Sequence, residues 1–199
     1  MKVLAAEFVT SAVIPRDGLP QIAFVGRSNV GKSSLINALC RRTIARTSAA
    51  PGKTRLANVY RVTLDGGSGG PGRWDLYLLD LPGYGYARGG SAAGEELRVI
   101  AEEYFGERLQ QPGGTAVVLL VDSRHPGQAS DLAAARWLGD LGLERHLVAT
   151  KIDKLSRAER VRNLKELERT FGTAALPVSA DSGEGLNELW QMIAKQARK

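Results

Sequence analysis

The eight residues Gly26-Arg27-Ser28-Asn29-Val30-Gly31-Lys32-Ser33 follow the pattern G-x-x-x-x-G-K-[ST]. The strand-like run QIAFV precedes them directly, and an apolar helical pattern starts near Ser34. Strand, glycine-rich turn and helix in that order form the setting that gives this pattern its meaning. The turn aims backbone N–H groups at phosphate oxygens, the helix N-terminus adds a favourable dipole, and Lys32 supplies a point charge for the outer phosphates. Ser33 is expected to ligate Mg²⁺. Alone, the pattern says only that a nucleoside triphosphate is bound.

The strand before this turn is one of six strand-like runs: Ile22 to Val25, Val59 to Leu64, Leu76 to Leu79, Ala116 to Val121, His146 to Ala149 and Leu176 to Val178. Helical patterns lie between them, so the chain reads as α/β, with βαβ units around a six-stranded, mostly parallel sheet and helices on both faces. Leu186, Leu189, Trp190 and Ile193 make one apolar helix face, and Leu97, Ile100, Tyr104 and Phe105 another. Lys154 to Phe171 also reads as a helix. Asp65 to Arg73 (DGGSGGPGR) reads as an exposed, mobile hairpin tip. Arg41 to Arg55 is basic and lacks sustained periodicity, so it reads as a loop long enough to be functional.

Composition narrows the setting. The 199 residues are 43% apolar, enough for the core of one domain, and no apolar run can span a bilayer. The single cysteine, Cys40, rules out an internal disulfide, and MKVLAAEFVT lacks the pattern of a signal peptide. A cytoplasmic protein is expected. The net charge of +6 permits a polyanionic partner without identifying one.

Asp80 ends the strand LYLLD and begins Asp80-Leu81-Pro82-Gly83. Doubly wound sheets bind ligands at that end of their strands. The D-x-x-G spacing brings Asp80 toward Mg²⁺ and leaves the Gly83 N–H to bond a γ-phosphate. By itself the tetrapeptide is an ordinary strand-end turn; its order and distance from the phosphate loop give it weight. Thr150-Lys151-Ile152-Asp153 follows the strand HLVA. A carboxylate in the plane of a purine accepts from guanine N1–H and the 2-amino group, and adenine offers neither donor there. Sites built on such hydrogen bonds discriminate by factors on the order of 10⁴ or more, so guanine is expected. Val178-Ser179-Ala180 ends the next strand, suitably placed for a backbone N–H to reach guanine O6.

These four motifs occur in the order and spacing of the Ras-like P-loop G domain. GRSNVGKSSLINAL, the loop ARTSAAPGKTR, DLPGYGYA, VDSRHP followed by Asp131 and Trp137, and TKIDKL together resemble the EngB (YihA/YsxC) family of bacterial ribosome-biogenesis GTPases, from about Phe8 to about Ile193. The resemblance implies GTP/GDP as ligand, Mg²⁺ as cofactor, hydrolysis of GTP, and a part in assembly of the large ribosomal subunit (rRNA and ribosomal proteins). It implies one G domain over 1–199, with 20–195 as core, 1–19 as an N-terminal extension packed on it and 196–199 as a basic tail, and a monomer. It places Gly26 to Ser34, Pro51, Gly52, Lys53 and Thr54, Asp80 to Gly83, Thr150, Lys151, Asp153 and Val178 to Ala180 at the nucleotide. Lys32, Thr54 and Gly83 would serve catalysis, and Ser33, Thr54 and Asp80 would hold the metal. Asn29 is similar to an asparagine that in related GTPases helps hold K⁺.

Three positions depart from the wider G-domain pattern. Tyr84 stands where Ras-like enzymes carry the Gln that orients the attacking water, so slow intrinsic turnover is expected. Asp181 follows Ser179-Ala180 where many G domains have Lys, and Thr150 replaces the commoner Asn. A nucleotide switch is the first reading of function. The alternative is a passive rRNA-binding assembly module in which hydrolysis is incidental, drawing on Arg41, Arg42, Arg46, Lys53 and Arg55 and on Lys195, Arg198 and Lys199. Solvated faces account for both clusters without any partner. A membrane role ranks last, because no lipidation motif is present.

Overall fold

A computed structural model describes residues 1–11, 15–45, 57–66, 72–84, 104–105 and 115–198. All six runs read as strands are strands, and a seventh joins them. They are β1 (Lys2–Ser11), β2 (Gln21–Gly26), β3 (Asn58–Asp65), β4 (Arg73–Asp80), β5 (Thr115–Asp122), β6 (Arg145–Thr150) and β7 (Leu176–Pro177). The sheet order is β1-β3-β4-β2-β5-β6-β7. β1 and β4 each run antiparallel to β3, and the remaining pairs are parallel. Among the described residues the sheet therefore has seven strands rather than six, because the N-terminal segment pairs along β3. Register shifts between Val3 and Ala5 and between Phe8 and Thr10 break the period-2 pattern that would have marked β1 as a strand.

Four helices stand among the described residues: α1 (Lys32–Cys40), α2 (Ala129–Asp140), α3 (Arg157–Phe171) and α4 (Leu186–Gln196). Strand side chains alternate between faces, so Ile22 and Phe24 pack with Leu35, Leu39, Trp190 and Ile193 from α1 and α4. Ala23 and Val25 pack on the other face with Ala134, Leu138 and Leu167 from α2 and α3. The Trp190 indole N–H donates to the Leu39 carbonyl at 3.1 Å and ties α4 to the end of α1. Cys40 is buried, and burial pushes its thiol up to about 12, so it behaves as a small apolar side chain.

The helix read over 154–171 begins later. Ile152–Lys154 form a 3₁₀ turn, and α3 starts after Ser156 with a full capping box: the Ser156 hydroxyl accepts from the Glu159 N–H while the Glu159 carboxylate accepts from the Ser156 N–H. The hairpin read at 65–73 is present as antiparallel pairing of β3 with β4 up to Asp65 and Arg73, closed by Gly66 N–H on the Gly72 carbonyl; its tip, 67–71, lies outside the described residues. Leu97 and Ile100 of the earlier helix reading also lie outside them, while Tyr104 and Phe105 are buried in the core.

Candidate nucleotide site

The C-terminal ends of β2, β4, β5, β6 and β7 line one edge of the sheet, and the described motif residues sit on that edge, in the loops that follow it or in the first turn of α1. Gly26 ends β2 and Lys32 begins α1. Between them Asn29 (φ 63°) and Gly31 (φ 106°) take left-handed conformations, which turn the chain sharply from β2 into α1. Gly31 is required at its position, since a side chain is strained at that φ. Lys32 is 8% exposed, and its ammonium donates to the carbonyls of Gly26 (2.9 Å) and Arg27 (3.3 Å). Val30 is buried, and Ser34 lies exposed in the first turn of α1.

Ser33 and Asp80 meet. The Ser33 hydroxyl donates to the Asp80 carboxylate at 2.7 Å, bringing two hard oxygen donors together from opposite sides of the loop. Asp80 is 5% exposed; burial raises its carboxyl pKa, and the charge of Lys32 and the Ser33 hydrogen bond offset this only in part. Burial likewise lowers the Lys32 ammonium, with Asp80 opposing. Both groups are pushed toward their neutral forms, the signature of a site whose charges are desolvated. Among the described residues no group of three or more His, Cys, Asp or Glu could hold a metal ion. One carboxylate and one hydroxyl are what a small hard cation needs from protein when phosphate oxygens and water complete its shell.

The D-x-x-G segment lies directly against the phosphate loop. Leu81 is buried and its N–H donates to the Phe24 carbonyl. The Ser28 N–H donates to the Tyr84 carbonyl at 3.1 Å, and the Ser28 hydroxyl to the Gly83 carbonyl at 3.4 Å. A Cβ on Gly83 would stand 2.8 Å from the Ser28 nitrogen, so only glycine lets the two backbones come this close. Tyr84 is 1% exposed, and its hydroxyl donates to Asp131 at 2.9 Å. The side chain after D-x-x-G is thus committed to the protein interior.

At the other end of the site Thr150 is buried, its hydroxyl 2.8 Å from the Val30 carbonyl and 3.1 Å from the Val121 carbonyl. This hydroxyl ties the T-K-x-D loop straight to the phosphate loop. Lys151 (φ 60°) reaches back in the same direction, its ammonium donating to the Asn29 carbonyl at 2.5 Å and to Asp122 at 3.0 Å. Burial works to raise Asp122, but hydrogen bonds from the Arg124 side chain and backbone and from Lys151 outweigh it and bring the carboxyl down to about 2. Asp153 accepts from the Ser179 hydroxyl at 2.6 Å and pairs with Lys154 at 2.9 Å. The same Ser179 oxygen accepts from the N–H groups of Asp181 and Ser182, which fixes the loop after Ala180. The Val178 carbonyl accepts from the Ile152 N–H, so the two loops close on each other. Asp181, which stands where many G domains have Lys, pairs with Lys154 at 3.0 Å.

Pro51, Gly52, Lys53 and Thr54 lie outside the described residues. Two supporting carboxylates, Asp122 and Asp131, had no assigned role in the sequence reading. Both stand in the run VDSRHP followed by Asp131 that helps carry the family resemblance, but that run says nothing of what either carboxylate touches.

The family model described as "50S ribosome-binding GTPase" matches residues 21–151. The probable GTP-binding protein EngB of Solibacter usitatus is 44% identical over 200 residues, covering 97% of this chain and 96% of that protein. That of Heliobacterium modesticaldum is 40% identical over 202 residues, covering 97% and 92%. Among solved structures, Era in complex with MgGDPNP and nucleotides 1506–1542 of 16S ribosomal RNA has the same fold, with a TM-score of 0.68 and 24% identity over 89% of this chain and 56% of that one. With a phosphate loop closed onto a D-x-x-G turn and near-full-length likeness to these proteins, the chain belongs to the EngB family of GTP-binding proteins and is a P-loop GTPase.

Proposed function

We propose that this GTPase is a slow nucleotide switch acting in assembly of the bacterial large ribosomal subunit, as a monomer in the cytoplasm. The observation that carries slow turnover is the Tyr84 hydroxyl bonded to Asp131: the position where Ras-like enzymes orient water offers no group to the nucleotide. The ribosomal part is supported by the description of the matching family and by Era, a structural neighbour solved with rRNA. Among the described residues no helix is long and apolar enough to cross a membrane.

In this reading the whole of 1–199 is one G domain, 20–195 its core, with the N-terminal strand added at the sheet edge and 196–199 as a basic tail. Lys32 and the loop Gly26 to Ser34 hold the phosphates. Gly83 donates its N–H to the γ-phosphate. Asp153 takes guanine N1–H and the 2-amino group, with Lys151 beside the base and Val178 to Ala180 at O6. The oxygen donors Ser33 and Asp80 suit Mg²⁺, and Thr54 joins them in the GTP state; Mg²⁺ supplies charge neutralisation for the phosphates. Pro51 and Gly52 shape the loop that carries Thr54, Lys53 of that loop lies at the nucleotide, and Asn29 would help hold K⁺. Loss of the γ-phosphate releases Thr54 and Gly83, which is the switch.

Co-sedimentation with isolated large and small subunits tests this reading. Strong binding to the large subunit with a non-hydrolysable GTP analogue and weak binding with GDP is expected. Equal binding in both states would instead mark a passive rRNA-binding module, and binding to neither subunit would remove the ribosomal role.

A further inference from the structure

Asp131 lies in the first turn of α2, outside every nucleotide motif, and is 1% exposed. Its carboxylate accepts from the Arg27 Nε–H at 3.0 and 3.1 Å and from the Tyr84 hydroxyl at 2.9 Å. Arg27 belongs to the phosphate loop, and Tyr84 directly follows Gly83 of the D-x-x-G turn. The two residues are also bridged through their backbones, as isolated parallel β-bridge partners.

We propose that Asp131 is a positioning residue for GTP hydrolysis: by holding Arg27 and Tyr84 on one carboxylate, it sets where Gly83 stands relative to the phosphate loop.

Space filling alone would not require this arrangement, because burying a carboxylate is costly and an apolar pair of similar volume is often at least as stable. What the carboxylate adds is register. A tyrosine hydroxyl and a guanidinium must both point at the same atoms, which fixes two loops from different parts of the chain against each other. The loops already touch at backbone distance, with the site of a Gly83 Cβ 2.8 Å from the Ser28 nitrogen, so any shift of Tyr84 is passed to the neighbouring Gly83 N–H. Phosphoryl transfer depends on positioning, and displacements near 1 Å can cost about a hundredfold in rate. Asp131 acts through Arg27 and Tyr84 and touches no substrate itself.

The inference rests on the proposed assignment of Gly83 to the γ-phosphate. Its test is steady-state and single-turnover GTP hydrolysis by the full chain carrying Tyr84→Phe, Asp131→Asn or both. Tyr84→Phe keeps the ring and removes only the hydroxyl. It is expected to lower kcat about 5- to 20-fold with KM for GTP within about twofold, and to lower the melting temperature by a few degrees because the buried carboxylate loses a donor. Asp131→Asn is expected to lose more, and the double variant no more than Asp131→Asn alone, because both changes break one link. Wild-type kcat in Tyr84→Phe, or a KM that rises in step with a falling melting temperature, would overturn the proposal. Should Asp131→Asn fail to fold, Tyr84→Phe decides. Retained tight GTP binding by Lys32→Ala would overturn the phosphate-site assignment instead, an outcome separate from the Tyr84→Phe result.

Discussion

The two ends of the candidate site are built on opposite electrostatic plans. At the proposed phosphate end, burial drives Lys32 and Asp80 toward their neutral forms. At the proposed base end, hydrogen bonds from Ser179 and Lys154 outweigh burial and hold Asp153 in its charged form. The ligands differ in the same sense. A triphosphate brings several negative charges and a divalent cation, and such a ligand gains most from protein charges that water does not already satisfy. A guanine edge is neutral and brings two N–H donors, so it is best met by a carboxylate already ionised and oriented. The phosphate end is built for strength and the base end for discrimination.

Lys32→Ala is the severest way to break this contrast. It removes a buried ammonium and leaves Asp80 without its opposing charge, so GTP affinity is expected to fall about a hundredfold or more in a fluorescent-nucleotide titration. Retained affinity would show that the desolvated charges do not carry phosphate binding. Asp153→Asn probes the other plan. The amide presents a donor where guanine needs an acceptor, so GTP affinity is expected to drop about tenfold to a hundredfold while xanthosine triphosphate gains, read by competition between the two nucleotides. An unchanged preference for GTP would end the base-site argument.

Asp122 lies between the two ends and sharpens the comparison through pH. Its folded pKa of about 2 is below its ordinary 3.8, so its contribution to stability is complete above the ordinary value and is lost as pH falls through about 2. The shift corresponds to about 2 kcal/mol. Denaturant unfolding of the wild type and of Asp122→Asn is expected to differ by that amount at pH 6 and to converge near pH 2. A constant difference would mean that the Arg124 and Lys151 contacts contribute packing rather than charge. The smallest effect is expected from Thr150→Val, which keeps the volume and leaves the Val30 and Val121 carbonyls one donor short. A loss of about 1–2 kcal/mol in unfolding free energy, with a rise in the nucleotide dissociation rate, would show that the base loop and phosphate loop are joined at this hydroxyl.

The motifs were legible in sequence because their geometry is local. Gly26 to Ser33 needs only a strand before it and a helix after it, and Asp80 and Thr150 each end a strand that the apolar pattern reveals. β1 was harder, since the register shifts around Leu4 and Val9 interrupt its alternation and its partner lies far along the chain. The start of α3 was written in plain view as Ser156-x-x-Glu159, but the 3₁₀ turn at Ile152–Lys154 carries helical composition up to that cap. Asp131 stood out in sequence only as part of the family resemblance, and its partners could not be read from spacing. It stands 104 residues from Arg27 and 47 from Tyr84, and only the folded sheet brings β2, β4 and α2 to one point.

The pairing of β1 with β3 bears on how the chain reaches its folded state. Even the nearest pair in that ladder, Ser11 and Asn58, is separated by 47 residues. At about 5–20 residues per second, β1 is synthesised roughly 2–10 s before its partner. Throughout that interval an apolar strand with exposed Leu4, Phe8 and Val9 has nothing to pair with. Once folded, β1 is the outermost strand of the sheet, and its two register irregularities interrupt the regular row of N–H and C=O groups that a second chain would need to pair with.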